Sequence, residues 1–397
     1  MATISPDRLP SPDRREVLEL TRELLRVDTV NPPGNEREAA ELALAYAKRR
    51  GLDGRLVPLG DGRANLHLVL PGTGAAAPLM YCGHFDTVPL GSSAWTRPPH
   101  AAEVDEDGVL WGRGAVDMKG GVAAMLVGMA TLARAEAALP GDVHFLGTIG
   151  EEVDCAGARA ALDSGVMEGV ANLVIAEPTD LDLVVAHKGA LFLEFTTYGR
   201  AAHGAMPDQG VNAITHMMFL LERLGTLDAG LPSHSLLGDA TLNVGTIHGG
   251  SVVNIVPDQC TALVDLRTVP GIEHPALLAR IEHLLDELGT TRAGFRARMT
   301  VTGDYPAVGT SPDQPLVRAA TRVLGTVLGR PPAVRGVSYF SDGSILHPAT
   351  GVPTLLCGPG DPNLAHQTDE RVDVVALERA AEIFTLLPAA LQSTVDD

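Results

Sequence analysis

Strand-like and helix-like patterns alternate between residues 65 and 176, and no other feature limits the possible folds as strongly. Residues 65–70 alternate as a strand, and 79–81 form a short apolar one. Residues 120–133 read as a helix of small residues, suited to close packing on a sheet. A strand at 143–148, a helix at 156–164 and a strand at 172–176 follow. This β-α-β-α order calls for an α/β fold with a mostly parallel sheet flanked by helices. Ahead of it, Ser11 and Pro12 predict a helix N-cap and first turn, with Val17, Leu20, Leu24 and Leu25 on one face. A second helix is expected from about residue 36 to 50, ending near Gly51.

The pattern changes near Lys188. Alternating strands at 191–198, 241–247, 260–267 and 297–302 enclose two helices, 212–224 and 275–287. That is an antiparallel α+β arrangement. Near Tyr305 the chain returns to the first pattern, with a helix at 314–328, a strand at 353–357 and a last helix at 374–387. A chain of 397 residues exceeds what one hydrophobic core usually holds. The expected domains are therefore 1–188 with 304–397, and an inserted domain 189–303.

The formal net charge is −19. A field of that sign repels phosphate backbones and anionic bilayers, so neither nucleic acid nor membrane is an expected partner. The longest apolar stretch, about 121–133, is shorter than the ~20 residues a membrane-spanning helix needs. The N-terminus lacks a basic start followed by an apolar run, so no secretory leader is expected. Cys82, Cys155, Cys260 and Cys357 form no Cys-x-x-Cys pair. Scattered thiols suit a reducing compartment, read as the cytoplasm, and each is expected as a small buried apolar residue.

Metal-ligand side chains recur just past the strands. The first cluster is Gly83-His84-Phe85-Asp86-Thr87. Two residues apart on extended backbone, His84 and Asp86 face the same side. One can hold a metal while the other orients its ring. The second is Gly112-Arg113-Gly114-Ala115-Val116-Asp117-Met118-Lys119-Gly120-Gly121, whose glycines permit tight backbone around Asp117. It lacks P-loop spacing. The third is Gly150-Glu151-Glu152, adjacent acids whose repulsion a cation would relieve. Ala176-Glu177-Pro178 and Ala365-His366-Gln367-Thr368-Asp369-Glu370 complete the set. Alone, each fits a solvated polar turn. Together they supply imidazole and carboxylate without thiolate, a set that suits zinc, cobalt or manganese. Ligands gather at the carboxyl ends of strands in such folds.

The order of these five motifs resembles the di-zinc metallopeptidase and deacylase family. That family includes acetylornithine deacetylase, succinyl-diaminopimelate desuccinylase, aminoacylase and the glutamate-releasing carboxypeptidases. The similarity runs from about Thr21 to the last helix. It implies a di-zinc exopeptidase-like catalytic domain with an inserted lid and dimerisation domain. It implies two divalent ions, zinc with cobalt or manganese as alternatives, held by His84, Asp117, Glu152, Glu177 and His366. Asp117 would bridge them, ahead of a cis Asp117-Met118 peptide, and Asp86 would orient His84. Glu151 would be the general base for water held between ions ~3.5–4 Å apart. His203, in Gly199-Arg200-Ala201-Ala202-His203-Gly204, matches the lid histidine that serves the partner subunit's site as an oxyanion donor. Asn254, Arg267 and Gly343, the last in Ser341-Asp342-Gly343-Ser344, match substrate contacts. Arg267 suits a substrate carboxylate, although Asp265 offers it a local ion pair.

The resulting expectation is a homodimeric amide hydrolase of a small N-acylated amino acid. A dipeptidase or glutamate-releasing carboxypeptidase with the same chemistry is the alternative. A third reading is a non-catalytic binding protein on this scaffold, which the complete set of ligands and Glu151 disfavours.

Overall fold

The computed structural model describes residues 9–60, 62–227 and 230–392. Residues 1–8, on which the reading of the N-terminus partly rests, lie outside the described residues. The chain divides into two compact units. One comprises Met1–Val185, Gly309–Arg335 and Ser341–Asp397; the other comprises Ala186–Val308 and Gly336–Phe340.

Four strands run parallel at the centre of the first unit, in the spatial order Val143–Thr148, Leu79–His84, Asn172–Ile175 and Thr354–Leu356. Arg63–Leu70 and Asp53–Leu59 extend one side as antiparallel neighbours. Leu79–His84 is buried at every position, as expected of a parallel strand covered on both faces. The register puts His84 level with Thr148, and Cys82 level with Leu146 and Ile175. The loops that follow these three strands therefore emerge at one edge of the sheet.

The helix Lys119–Arg134 is buried along almost its whole length. Its small residues allow that depth. A Cβ on Gly121 would lie 2.5 Å from the carbonyl oxygen of Ala176, the residue before Glu177. Helices Arg14–Arg26 and Val374–Gln392 lie against it. The last helix runs on through Pro388, beyond the expected end at 387.

The second unit holds the expected antiparallel sheet, in the order Thr241–Gly249, Gln259–Thr268, Gly189–Tyr198, Arg296–Tyr305. Helices Ala213–Leu224 and His274–Thr291 supply Met217, Leu220, Ile281 and Leu284 to a core with Leu191, Phe195 and Val264. Thr241–Gly249 is an edge strand, and Val244 and Ile247 on it are exposed.

Several expectations need correction. The first helix is capped by Asp13, whose side chain accepts from Arg15 N at 2.9 Å, rather than by Ser11. Asp13 stands next to the helix, and a carboxylate suits its N-terminus. Strands Asp53–Leu59 and Leu183–His187 were not expected; the first contains Pro58 and is only partly buried. The second unit begins at Ala186 and ends at Val308, and it takes in Gly336–Phe340. Phe340 joins it by stacking on Tyr305 at 4.4 Å between ring centroids and by meeting Phe192 edge-on. Of the Ser341-Asp342-Gly343-Ser344 run, Gly343 and Ser344 open the helix Gly343–Thr350 and Asp342 is its N-cap residue. Among the described residues no helix is long and apolar enough to cross a membrane. All four cysteines are buried and free.

Two strand residues give stability a pH dependence. His67 Nε2 lies 3.1 Å from His144 Nδ1 across the pairing of Arg63–Leu70 with Val143–Thr148. Burial, then the neighbouring His144, pushes His67 down to about 4; burial also lowers His144. An unfolded histidine takes its proton near pH ~6.5. Below that pH the unfolded chain binds more protons than the folded one, so stability falls with pH from about 6.5 toward 4. The Tm drop between pH 7.5 and 5 should be smaller for His67→Gln than for the wild type. Equal drops in thermal melts would show that the pair contributes nothing.

Candidate metal centre

Each strand end is shaped to aim a side chain inward. After Val143–Thr148 the chain turns at Gly150, whose φ of +72° is costly for any other residue. The Gly150 carbonyl accepts from the amides of Asp154 and Cys155, which closes the turn and leaves Glu151 and Glu152 at its face. Asp86 then fixes them. Its Oδ1 accepts from Glu151 N at 3.1 Å, and its Oδ2 from Glu152 N at 3.2 Å and Asn31 Nδ2 at 3.0 Å.

His84 and Asp86 are both buried. The ring Nδ1 of His84 lies 2.9 Å from the backbone oxygen of Asp86 and 3.6 Å from its Oδ1. Nδ1–H is thereby occupied, and Nε2 faces the acids. It stands 3.1 Å from Asp117 Oδ1, and 4.0 Å from both Glu177 Oε1 and Glu151 Oε2. The other Asp117 oxygen, Oδ2, lies 3.3 Å from His366 Nε2, which is also 3.0 Å from Glu152 Oε2. Asp117 therefore stands between two imidazoles, one oxygen toward each, and each imidazole is beside a further glutamate. The Asp117–Met118 peptide is cis.

The electrostatics of this space need cations. Burial, then the charge of Glu177, drives the Glu151 carboxyl well above the usual range. Burial, then Asp117, raises Glu177 and Glu152 likewise. Burial would raise Asp117 too, but hydrogen bonds from His366 and His84 hold it below its ordinary value. His366 is pushed up to about 10 by its bonds to Asp117 and Glu152. Burial disfavours a proton on His84, yet the Asp117 bond and the surrounding carboxylates outweigh it and raise that ring strongly. Protons on two rings are a poor substitute for divalent charge among this many acids. Glu152 Oε1 is buried without a hydrogen-bond partner, as an oxygen reserved for a ligand would be. Two sets of atoms close enough to share an ion are present: His84 with Glu151 and Glu177, and His84 with Asp117 and Glu152. The residues fit a metal centre.

The other expected site residues have the following surroundings. His203 is exposed in the second unit, where its Nδ1 accepts from Ala205 N at 3.0 Å. Asn254 is its neighbour there, its carbonyl accepting from Gly204 N at 2.8 Å. Arg267 pairs with Asp265, Nε to Oδ1 at 2.9 Å, and lies over the rings of Phe192 and Phe340. Gly343 is buried in the first unit and donates its N–H to Ser341 Oγ at 3.1 Å.

Several supporting residues carried no role in the sequence reading. Glu370 and Arg113 form a buried ion pair at 2.7 Å beneath the Asp117 loop. Lys119 is fully buried; its Nζ donates to the carbonyls of Leu24 and Val27, and burial pulls it down to about 7. Asp342, raised to about 6 chiefly by burial, accepts from Thr148 Oγ1 at 2.6 Å. Glu370 and Arg113 lie inside recognised motifs, which was the available signal. Their partners are about 250 residues away, so the pairing itself could not be read.

The profile of the peptidase family M20/M25/M40 matches residues 80–390. A probable succinyl-diaminopimelate desuccinylase of Staphylococcus epidermidis is 29% identical over 387 residues, covering 90% of this chain and 93% of that protein. An acetylornithine deacetylase of Proteus mirabilis is 28% identical over 381 residues, covering 92% and 94%. An M20 family metallo-carboxypeptidase of Sulfolobus solfataricus shares the fold with a TM-score of 0.79 at 19% identity, covering 95% of this chain and 99% of that one. A dinuclear metal-binding peptidase of Bacillus subtilis does so with a TM-score of 0.74 at 17% identity, covering 96% and 99%. With its strand-end acids and imidazoles in place, the chain belongs to the peptidase family M20/M25/M40 and is a metal-dependent hydrolase.

Proposed function

We propose that this protein hydrolyses the amide bond of a small N-acylated amino acid, using two zinc ions. The observation that carries the reading is Asp117, whose two oxygens meet His84 and His366 separately. A carboxylate so placed suits a bridge between two cations. His84 and Glu177 would complete one pocket, and His366 and Glu152 the other. Imidazole and carboxylate favour zinc, with cobalt and manganese as substitutes. The two named relatives act on acylated amino acids by their descriptions, which supports the substrate class. A dipeptidase or carboxypeptidase reading uses the same groups, and a neighbour in fold described as a metallo-carboxypeptidase keeps it in play.

Bound cations would supply an acidified water and a polarised substrate carbonyl. The remaining work falls to this chain. Among the described residues Glu151 is not locked in a side-chain ion pair shorter than 4.0 Å, which suits a carboxylate that must receive a proton. It takes the proton from the attacking water and passes it to the departing nitrogen as the C–N bond breaks. The products are a carboxylic acid and an amine. Asp86 keeps Glu151 and Glu152 in register through their backbone amides. His203 would donate to the developing oxyanion of the partner subunit's substrate. Exposed Val244 and Ile247 on the edge strand, with exposed Val252, Val253 and Ile255 beyond it, support a dimer formed by the second unit. Arg267 would receive a substrate carboxylate on the N–H groups that Asp265 leaves open, with Asn254 and Gly343 as further contacts. Four buried free thiols support a cytoplasmic location.

Turnover of N-acetyl-ornithine, N-succinyl-diaminopimelate, other N-acyl amino acids and dipeptides tests this directly. Expected is hydrolysis of an N-acyl amino acid in preference to dipeptides, abolished by chelation and restored by zinc or cobalt. Full activity in metal-free protein, or preference for dipeptides, would overturn it. Glu151→Ala should retain bound metal and lose roughly 100- to 10,000-fold in kcat. Near-normal turnover would remove Glu151 from the base role. Mixing His203→Ala with Glu151→Ala subunits should restore part of the activity that each lacks. No recovery after proven subunit exchange would exclude action of His203 across a dimer.

A further inference from the structure

Glu370 has no place in the chemistry above, yet its carboxylate is fully committed. It is 0% exposed. Its Oε1 accepts from Val116 N at 2.8 Å and Asp117 N at 3.0 Å. Its Oε2 accepts from Gly114 N at 3.0 Å and Arg113 Nη1 at 2.7 Å. Its backbone oxygen accepts from Gly112 N at 3.0 Å. One residue thus gathers the loop from 112 to 117 that presents Asp117.

Arg113 ties the same point to two other segments. It is almost fully buried, with Nη1 also donating to Gln367 O at 3.2 Å and Nη2 to Pro89 O at 3.1 Å. Its guanidinium lies over the Trp95 ring at 5.1 Å. The segment carrying His366 is itself held in unusual backbone. His366 and Asp369 both have positive φ, 61° and 63°, without being glycine. Such conformations persist where surrounding contacts impose them. Thr96 supplies one, donating N–H and Oγ1–H to Asp369 at 2.7 and 2.6 Å. The His366 side chain is about half exposed, so little else confines it.

We propose that Glu370, together with Arg113, is a positioning residue that clamps the Asp117 loop to the His366 segment, and so sets the affinity of the cation pocket formed by His366, Glu152 and Asp117 Oδ2. The inference rests on the two-cation reading of the site. The hydrogen bonds of the clamp go to neither His84 nor Glu177. Asp117 is shared by both pockets, but the His366 segment serves only one, so loss of the clamp falls on that pocket more than on the other. A glutamine at 370 keeps the shape but turns one acceptor into an N–H₂ group facing N–H donors. Partners that orient ligands typically change metal affinity by about 10- to 100-fold when removed.

The test is zinc uptake by the full chain in metal-buffered equilibrium dialysis, with bound metal counted directly and folding followed by Tm. The wild type should take up two ions per chain. Glu370→Gln should hold the first within roughly threefold and the second about 10- to 100-fold more weakly. Arg113→Lys, which keeps the charge and the amide bonds to Glu370, should weaken the second ion in the same direction by less; it carries the test if Glu370→Gln does not fold. A folded Glu370→Gln protein with a lowered Tm and two wild-type affinities would make Glu370 a structural residue and overturn the clamp. Where only Arg113→Lys folds, unchanged affinities would overturn it equally. A wild-type chain that takes up fewer than two ions would overturn the two-cation reading itself.

Discussion

Crowded negative charge is the constraint on which the rest of the structure depends. Asp86, Asp117, Glu151, Glu152 and Glu177 are buried or nearly so, and they share one space with the imidazoles of His84 and His366. Burial raises the carboxyls of Glu151, Glu152 and Glu177, which is the cost of placing anions away from water. A chain evolved only for stability would not assemble such a group. The assembly becomes favourable when cations enter, and the fold must hold the acids together until they do.

The parallel sheet does that holding. Two strands end level because His84 pairs with Thr148, and the third ends at Ile175 opposite Cys82, so that Glu177, two residues on, follows at the same edge. A shift of one residue in either pairing would turn His84 or Glu151 to the wrong face. Gly121 then lets the first turn of the helix Lys119–Arg134, which follows Asp117, lie close against Ala176, the residue before Glu177. Burial of Lys119 against the carbonyls of Leu24 and Val27 anchors the start of that helix to the first helix of the chain. Packing in the core and geometry at the site are thus one problem.

Much of this was legible in the sequence, and the reason is physical. Alternating patterns fix strand ends, and ligand side chains directly after strand ends must share an edge of a parallel sheet. His84, Glu151, Glu152 and Glu177 were readable as strand-end side chains on that basis, whereas Asp117 and His366, and the role expected of each residue, came from the resemblance carried by the order of the motifs. What was not readable depends on contacts between distant segments. Phe340 belongs with Phe192 and Tyr305 only because their rings meet, so the boundary of the second unit could not be drawn from pattern. The pairing of Glu370 with Arg113 and of Asp342 with Thr148 spans roughly half the chain or more. The first helix was misjudged for a local reason: Ser11 and Asp13 are both good caps, and only the backbone decides between them.

Asp86 and Glu370 solve the same problem for two different loops of the centre. Each is a buried carboxylate that accepts the backbone amides of two consecutive residues, Glu151 and Glu152 in one case, Val116 and Asp117 in the other. Side-chain amides or hydroxyls could accept some of these bonds, but with neutral oxygen. A carboxylate binds the amides more strongly and adds negative potential behind the ligands, which favours divalent ions over protons on His84 and His366. Arg113 limits how far that potential rises at Glu370, whereas Asp86 relies on the amides and on Asn31. The acidity of the supporting layer is therefore part of what makes the site a cation site, and geometry alone would not account for it.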